Sequence, residues 1–245
     1  MKYIQNIENE AEAIKKPYDV LYYIKPLGSI NLITATRYTA VDLGLPSGRL
    51  WANMNIGAEK ETDYGLYFQW GDTIGYTDAS HSTWATCPGN GGNSTYNVDS
   101  LTAWDAENLQ SVTGMTTSTK ILMPKVDAAT VNMGGNWRMP TKEDLDELFD
   151  NTRVSTAVID GVTGKTFTNM TDASKYIFIP YAGQVLNGSF SELSIGSYTW
   201  GSSLLGSDSV YESHSAASSL YLCSGSYYGV SNSHRCDALS VRGVC

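Results

Sequence analysis

The sequence predicts an α+β domain in which a few helices precede many short antiparallel strands. One helix is well marked, because Thr141 is a typical N-cap, acidic residues follow it, and Leu145 and Leu148 recur on one face. After Asn151, short apolar runs alternate with Gly, Asn and Ser, which is the pattern of strands joined by turns. A few helices followed by a run of strands favour the α+β class.

Turn residues and aromatic residues define the other elements. The Pro-Ser-Gly turn at 46–48 lies between apolar runs and predicts a β-hairpin over residues 41–57. An aromatic strand is expected at 64–71, and the Gly-, Ser-, Thr- and Asn-rich stretch at 75–100 predicts a long surface loop. A short helix is expected at Val126–Val131. The later strands are expected at Lys165–Asn169, Tyr176–Pro180, Tyr198–Ser202, Leu220–Cys223 and Ala238–Val244.

The first 39 residues differ in pattern from the rest of the chain. Apolar residues recur there at three- and four-residue steps, as on one helix face, and Pro17 ends the pattern. Such a helix packs on its own domain or serves as an oligomerisation or attachment segment, and the sequence leaves both open. We expect an accessory segment over 1–39, through which a homo-oligomer such as a trimer could form, and one main domain over 40–245. The apolar residues are Ile4, Ile7, Ala11 and Ile14.

Composition argues against two classes of partner. The net charge is −9 and the basic residues are few and scattered, whereas a nucleic-acid-binding protein needs a basic face. No stretch approaches the roughly 20 apolar residues of a membrane helix. The N-terminal stretch carries acidic residues and no apolar core, so it is not a signal peptide as written. We expect a protein made without Sec export, or one whose leader was removed.

The cysteines form neither a CxxC pair nor a zinc-ribbon spacing; they are Cys87, Cys223, Cys236 and Cys245. A zinc site from the last three with His234 would have poor spacing. We therefore expect no metal, no other cofactor, and thiols that are incidental to function. GxSxG, HExxH and phosphate-loop motifs are absent, so no catalytic residue is predicted.

Five segments together carry a resemblance to a known family. They are VDLGLPSGRLWANMNIGA, YGLYFQWGD, DAATVNMGGNWRMPTKEDLDEL, YTWGSS and LSVRGVC, in this order along the chain. Over about residues 40–245, the chain resembles the paralogous-domain family abundant in Bacteroidetes and Fibrobacter. That family has a C-type-lectin-like fold related to the formylglycine-generating-enzyme branch. The resemblance implies a C-type-lectin-like fold with short antiparallel strands, few helices and long loops.

The resemblance and the local patterns also separate structural from functional residues. Arg138 and Arg242 are expected to bond backbone carbonyls rather than to act in catalysis. The calcium-binding tripeptides of lectins with this fold are absent, and Cys236 and Cys245 do not match the reactive pair of the formylglycine-generating relatives. The tryptophans expected in the core are Trp51, Trp70, Trp137 and Trp200. The acids expected on a solvated helix face are Asp144, Asp146, Glu147 and Asp150.

The composition changes abruptly after Trp200. The chain contains ten Lys, four Gln, seven Met and six Trp, yet none lies in the last 45 of its 245 residues, and Glu occurs there once, at Glu212. These five types are the ones that cannot arise when the two adenines of an Asn codon are replaced freely. The pattern favours a diversity-generating retroelement, which rewrites adenine-templated codons at the 3′ end of a gene. The alternative is a Ser-rich β-region that lacks long polar side chains.

A variable region over about 198–245 would place outward-facing side chains on a fixed framework. The framework residues are expected to be Trp200, Ser202, Leu220, Val230, Arg235, Val241 and Arg242. The display positions, which are the predicted ligand-binding residues, are Thr199, Gly201, Ser203, Leu204, Ser219, Tyr221, Tyr227, Tyr228, Ser231, Ser233, His234, Cys236, Asp237 and Ala238.

These observations predict a non-enzymatic binding protein with a hypervariable C-terminal surface. We expect a phage receptor-binding protein on the virion tail, whose partner is a protein or glycan on a bacterial cell surface. The alternatives are a bacterial surface adhesin of fixed sequence and, third, an enzyme of the formylglycine-generating branch. A copy of the last ~150 bases downstream of the gene, with adenines at the variable codons and a nearby reverse transcriptase, would separate the first two.

Overall fold

The chain divides into two compact units, Met1–Arg37 and Tyr38–Cys245. The computed structural model describes residues 22–24, 30–32, 37–87, 121–204, 216–225 and 228–245. In the first unit, β1 (Tyr22–Ile24) and β2 (Ile30–Leu32) form an antiparallel pair. The helix predicted before Pro17 lies outside the described residues, as does the second half of the loop predicted at 75–100.

The second unit begins with the predicted hairpin. Strands β3 (Ala40–Asp42) and β4 (Leu50–Ala52) pair antiparallel. The turn between them is closed by a hydrogen bond from the Gly48 amide to the Leu45 carbonyl, at 2.9 Å. Gly48 has φ +71°, a left-handed conformation that glycine adopts without a steric penalty. The Pro-Ser-Gly sequence therefore sets this turn locally.

A seven-stranded sheet forms the centre of the second unit, in the order β10-β9-β14-β11-β12-β13, with β5 paired to β14. Strand β14 runs parallel to β11, whereas its pairings with β5 and β9 are antiparallel. The long strands β11, β12 and β13 form an antiparallel series. The strands are β5 (Tyr67–Gln69), β9 (Gln184–Leu186), β10 (Ser189–Ser191), β11 (Gly196–Leu204), β12 (Ala216–Cys223), β13 (Gly229–His234) and β14 (Ala238–Ser240).

A second, three-stranded antiparallel sheet consists of β6 (Thr152–Ile159), β7 (Val162–Asn169) and β8 (Tyr176–Pro180). Asp160 and Gly161 join the first two strands, with φ of 48° and 79°. Positive φ at both positions is what a two-residue hairpin turn requires, and Asp-Gly is a preferred pair for it. The sequence thus fixes the register of β6 on β7.

Two α-helices lie in the part of the chain that the structure describes. Helix α1 (Ala128–Met133) begins two residues later than predicted, because the Asp127 side chain accepts a hydrogen bond from the Thr130 amide as N-cap. Helix α2 (Lys142–Asp150) confirms the prediction of an N-cap at Thr141. It has a full capping box, in which the Thr141 and Asp144 side chains each accept from the other's backbone amide.

The prediction that the acids of α2 form a solvated face was wrong for Asp144. Its carboxylate is buried and contacts Arg138 Nη1 at 2.7 Å and Arg49 Nε at 3.1 Å. Burial opposes its ionisation, but Arg138, the Thr141 amide and Arg49 together lower the pKa of Asp144. Glu147 accepts hydrogen bonds from the amide and hydroxyl of Ser47, at 2.7 and 2.6 Å. These acids therefore attach α2 to the first hairpin.

The core confirms the tryptophan predictions, since Trp51, Trp70, Trp137 and Trp200 are all buried. Arg242 is fully buried as well. It donates to the Asn55 side chain and to two backbone carbonyls, and burial lowers the pKa of Arg242 to about 9. Arg138 donates to the Met139 carbonyl at 2.8 Å. The expectation that both arginines bond backbone carbonyls is confirmed.

The last residues of the chain close the second unit on its first hairpin. Leu50 and Cys245 exchange backbone hydrogen bonds at 3.1 and 3.0 Å, and Val244 forms bridges with Trp51 and Arg138. The described part of this unit is thus mostly β-sheet with few helices, which is consistent with the predicted α+β class and also with a mainly β class.

Candidate functional site

The described display positions lie on β11, β12 and β13, in the connection between β12 and β13, in the turn before β14 and at the first residue of β14. The prediction of the display positions assumed that one face of these strands is covered and the other faces solvent. In the middle of the sheet the structure contradicts this assumption, because both faces are covered there. Leu220 and Leu222 pack with Leu145 and Leu148 of α2 on one face, whereas Trp200 occupies the other. The display positions that are buried are Thr199, Gly201, Ser203, Ser219, Ser233, Cys236, Asp237 and Ala238.

Hydrogen bonds show why the second face is closed. The Trp200 indole donates to the Phe68 carbonyl at 2.7 Å, and the Trp70 indole donates to the Gly201 carbonyl at 2.9 Å. Both links join β11 to the β5 region. A Cβ atom at Gly201 would also collide with the Ser218 side chain. These central positions are part of the packed interior, so replacing them costs stability.

The prediction that Cys236 and Asp237 are display positions is wrong for a further reason. Cys236 forms a disulfide with Cys87, with a Cα–Cα distance of 4.8 Å, so the expectation of incidental thiols was wrong for these two and Cys236 is unavailable to a zinc site. The Gln69 amide donates to the Cys236 carbonyl at 2.8 Å and fixes this turn against β5. Burial raises the pKa of Asp237 to about 7, which marks it as an interior carboxyl group.

Five display positions reach solvent. Leu204, Tyr221, Tyr228 and Ser231 are partly exposed, and His234 is exposed. Tyr227 lies outside the described residues. Two of the five are tyrosines near the turn that joins β12 to β13, where Tyr221 pairs with Gly229 across the strands. The open part of the predicted surface is therefore concentrated along β12 and β13 and at this turn.

Tyr198 extends this open part, although the sequence did not single it out. Its ring centroid lies 4.7 Å from that of Tyr221, with the planes tilted by 32°. The Tyr198 hydroxyl donates to the Glu192 carboxylate at 3.1 Å. Burial, followed by the Glu192 charge, raises the pKa of Tyr198, and burial and the Cys223 thiol raise that of Tyr221. Both phenols therefore remain neutral hydrogen-bonding groups at physiological pH.

Tyr228 lies on the α2 side of the sheet. Its ring packs edge-on against Phe149, with centroids 5.7 Å apart, and Lys165 Nζ lies 4.2 Å from its centroid. Lys165 also donates to the Thr156 hydroxyl at 2.9 Å. We call Tyr198, Tyr221 and Tyr228 the tyrosine end of the sheet.

Lys165, Glu192 and Tyr198 at the tyrosine end were not predicted from the sequence, although the pattern around Lys165 could have indicated it. Lys165 lies two residues before Phe167, so strand alternation places both on the same face, which for Phe167 is the core. A lysine on a buried strand face needs an explanation. Glu192 and Tyr198 left no comparable signal, because they meet only through the fold of the segment before β11.

The chemistry at the tyrosine end suits binding. Phenols, an ammonium group and a carboxylate donate and accept hydrogen bonds, and the rings offer apolar faces. Within the described ranges, no group of three His, Cys, Asp or Glu residues is placed to hold a metal ion. The same residues include no helix that is long and apolar enough to span a membrane.

Comparison with protein-family models, with curated proteins and with solved structures finds no match to this chain. The residues and their geometry therefore carry the functional argument.

Proposed function

We propose that this chain is a ligand-binding protein with a C-type-lectin-like fold, and that the tyrosine end forms the centre of its binding surface. The observation that carries this is the contacting, partly exposed pair Tyr198 and Tyr221 at one end of a sheet whose framework is buried. Tyr228 is partly exposed near the same end, on the α2 side of the sheet. Tyrosine is suited to recognition because its ring contributes a large contact area at low conformational-entropy cost, and its hydroxyl adds a hydrogen bond.

The framework supports a surface that changes without unfolding the domain. Trp200, Ser202, Leu220, Val241 and Arg242 are buried, and Trp200 and Leu220 lie in the paired stretches of β11 and β12. Side chains at the rim of such a sheet can be exchanged at low cost, since surface changes usually move stability by about 0.5 kcal/mol.

We further propose that a diversity-generating retroelement rewrites part of this region. The absence of Lys, Gln, Met and Trp after Trp200 supports it. The burial of eight display positions reduces the number of positions that can vary, because free replacement of a buried side chain would disrupt packing. The effective variable set is then Leu204, Tyr221, Tyr228, Ser231 and His234, together with Tyr227.

Attachment to a bacterial surface by a phage tail protein remains the proposed context, with a protein or glycan as partner. The Cys87–Cys236 disulfide supports a protein that functions outside the cytoplasm, because disulfides persist in oxidising environments and are rare in the reducing cytoplasm. A bacterial adhesin of fixed sequence would share this feature. The DNA downstream of the gene separates the two, because only the retroelement requires a template copy with adenines at the variable codons.

A library tests the binding surface directly. Tyr221, Ser231 and His234 are randomised together, folding is followed by thermal melts, and binding is measured on arrays of bacterial glycans and surface proteins. We expect most members to melt within a few degrees of the parent while ligand preference scatters.

A matched control library randomises exposed positions on α2 and β6, namely Glu143, Asp150, Arg153 and Ser155. It should retain the parent's ligand preference. If both libraries keep one preference, the tyrosine end is not the binding surface; if most members of the first library unfold, these positions belong to the core.

A further inference from the structure

A buried ammonium group without an acidic partner lies at the tyrosine end. The Lys165 side chain belongs to a residue that is only 4% exposed, yet no carboxylate pairs with it among the described residues. Its contacts are the Thr156 hydroxyl and the Tyr228 ring. An ammonium group has three N–H donors, and burying a charge is costly unless it is paired and hydrogen-bonded. Although the chain carries nine more acids than bases, none of the described acids satisfies this cation.

A second polar group near it is incompletely satisfied. Tyr181 is fully buried, and its hydroxyl has no well-aligned hydrogen bond within the described residues. Burial raises the pKa of Tyr181, and a hydrogen bond from the neighbouring Thr156 side chain offsets part of this effect. Buried hydroxyl groups in native proteins almost always have a partner. The Lys165 ammonium, the Tyr181 hydroxyl and the Thr156 hydroxyl therefore form a group of donors with unused capacity.

The surroundings define how a ligand would reach these donors. Thr156 is exposed and Tyr228 is partly exposed, so these two side chains separate the donors from solvent. Tyr228 stands over the ammonium, and a change of its rotamer would uncover Lys165. The Tyr228 ring would then offer an apolar face beside the uncovered charge.

We infer that Lys165, Tyr181 and Thr156 form a subsite for the carboxylate of an acidic sugar, with Tyr228 packing against the sugar ring. A single cation with neighbouring hydroxyl donors matches a monoanion, and charge-assisted hydrogen bonds are the strong ones. The strongly negative chain disfavours a polyanionic ligand. The aromatic ring favours a sugar, whose C–H face stacks on it, over a peptide C-terminus. The assignment rests on the proposed binding function and names its ligand class.

The subsite is tested by titrating the full chain with glucuronate, with glucose as the neutral sugar of the same shape, and with an N-acetylated dipeptide as a carboxylate without a sugar ring. Binding is followed by ligand-observed NMR. We expect millimolar binding of glucuronate and at least about tenfold weaker binding of glucose and of the dipeptide, because a hydrogen-bonded ionic contact is lost in glucose. Equal binding of glucuronate and glucose overturns the subsite, and preference for the dipeptide overturns the sugar assignment.

Variants locate the contact. Lys165→Met keeps the length of the side chain and should abolish the preference for glucuronate over glucose, and Tyr181→Phe should weaken glucuronate binding by about three- to tenfold. Lys175→Met removes an exposed lysine that pairs with Asp42 and should change nothing. Retention of the full preference in both Lys165→Met and Tyr181→Phe overturns the inference.

The two proposals fail separately. A library at Tyr221, Ser231 and His234 leaves the subsite intact, so its members should keep the glucuronate preference while their wider ligand preference changes. If that wider preference changes but no variant or parent prefers glucuronate, the subsite fails and the proposed function stands. If the parent prefers glucuronate through Lys165 but the library binds uniformly, the variable surface fails and the subsite stands.

Discussion

Asp237 offers a sharp test of how the C-terminal region is built. An exposed display residue would be ionised in the usual acidic range. Instead, the Asp237 carboxyl group is buried next to the Cys87–Cys236 disulfide. Burial raises the pKa of Asp237 to about 7, although the His234 backbone amide favours the ionised form. The variant Asp237→Asn keeps the shape of the side chain and removes its charge.

The magnitude follows from the difference between folded and unfolded states. The pKa of an unfolded Asp is about 3.9, so burial disfavours ionisation of the folded Asp237 carboxyl group by about 4 kcal/mol. Between about pH 4 and pH 7 the native state retains a proton that the unfolded state has lost, so stability falls as the pH rises through this window. Asp237→Asn should therefore raise the free energy of unfolding by up to about 4 kcal/mol at about pH 8, and by little at about pH 4.

Urea unfolding of parent and variant across this pH range measures the effect as a difference, which cancels the other titrating groups. Asp150→Asn, at an exposed position of α2, is the matched control and should give a difference of about 0.5 kcal/mol or less at every pH. A stability difference between Asp237→Asn and parent that does not change with pH would show that Asp237 is ionised normally. The interior position assigned to this turn would then be wrong.

Four further outcomes are expected. Trp137→Ala should lower the free energy of unfolding by about 3–5 kcal/mol in denaturant melts, and a loss below about 1 kcal/mol would show that Trp137 is exposed. Asp144→Asn should lower the free energy of unfolding by about 2–3 kcal/mol near neutral pH in denaturant melts. Because the pKa of Asp144 is lowered in the folded state, the stability that the ionised carboxylate contributes is lost as the pH falls. A cost of the substitution that persists at acidic pH would contradict the ion pair with Arg138 and Arg49. Replacing Cys87 and Cys236 together by Ser should cost up to about 5 kcal/mol, since the bond closes a separation of 149 residues, and an unchanged thermal melt would refute the bond. Limited proteolysis should leave Tyr38–Cys245 as a stable fragment, with gel analysis as the readout; early cleavage inside α2 would contradict a compact unit.

Local features of the fold could be predicted from the sequence because the interactions that create them span only a few residues. Thr141 caps α2 through the amide three residues later, and the predicted turn at 46–48 closes the first hairpin with Gly48 at positive φ. Burial of Trp51 and Trp200 could likewise be predicted, because large aromatic side chains in apolar runs are seldom left exposed.

The open part of the proposed binding surface could be predicted only in part. Tyr221 and Tyr228 are open to solvent as expected, but the alternation of a strand says only that two faces exist. Whether the second face is covered depends on another element. At Ser219, which pairs with Trp200 and shares its face, it is covered, because the β5 region is held against β11 by hydrogen bonds from Trp200 and Trp70.

The sequence by itself determined the Thr141 helix cap, the turn at 46–48 and the burial of the tryptophans, since each depends on neighbouring residues or on hydrophobicity alone. Only the tertiary structure joined Cys87 to Cys236 and placed Lys165 under Tyr228. These partners are distant in the chain and meet because whole strands pair and pack. The positions of β7, β12 and β13 relative to one another, rather than any local pattern, bring a buried cation to the tyrosine end.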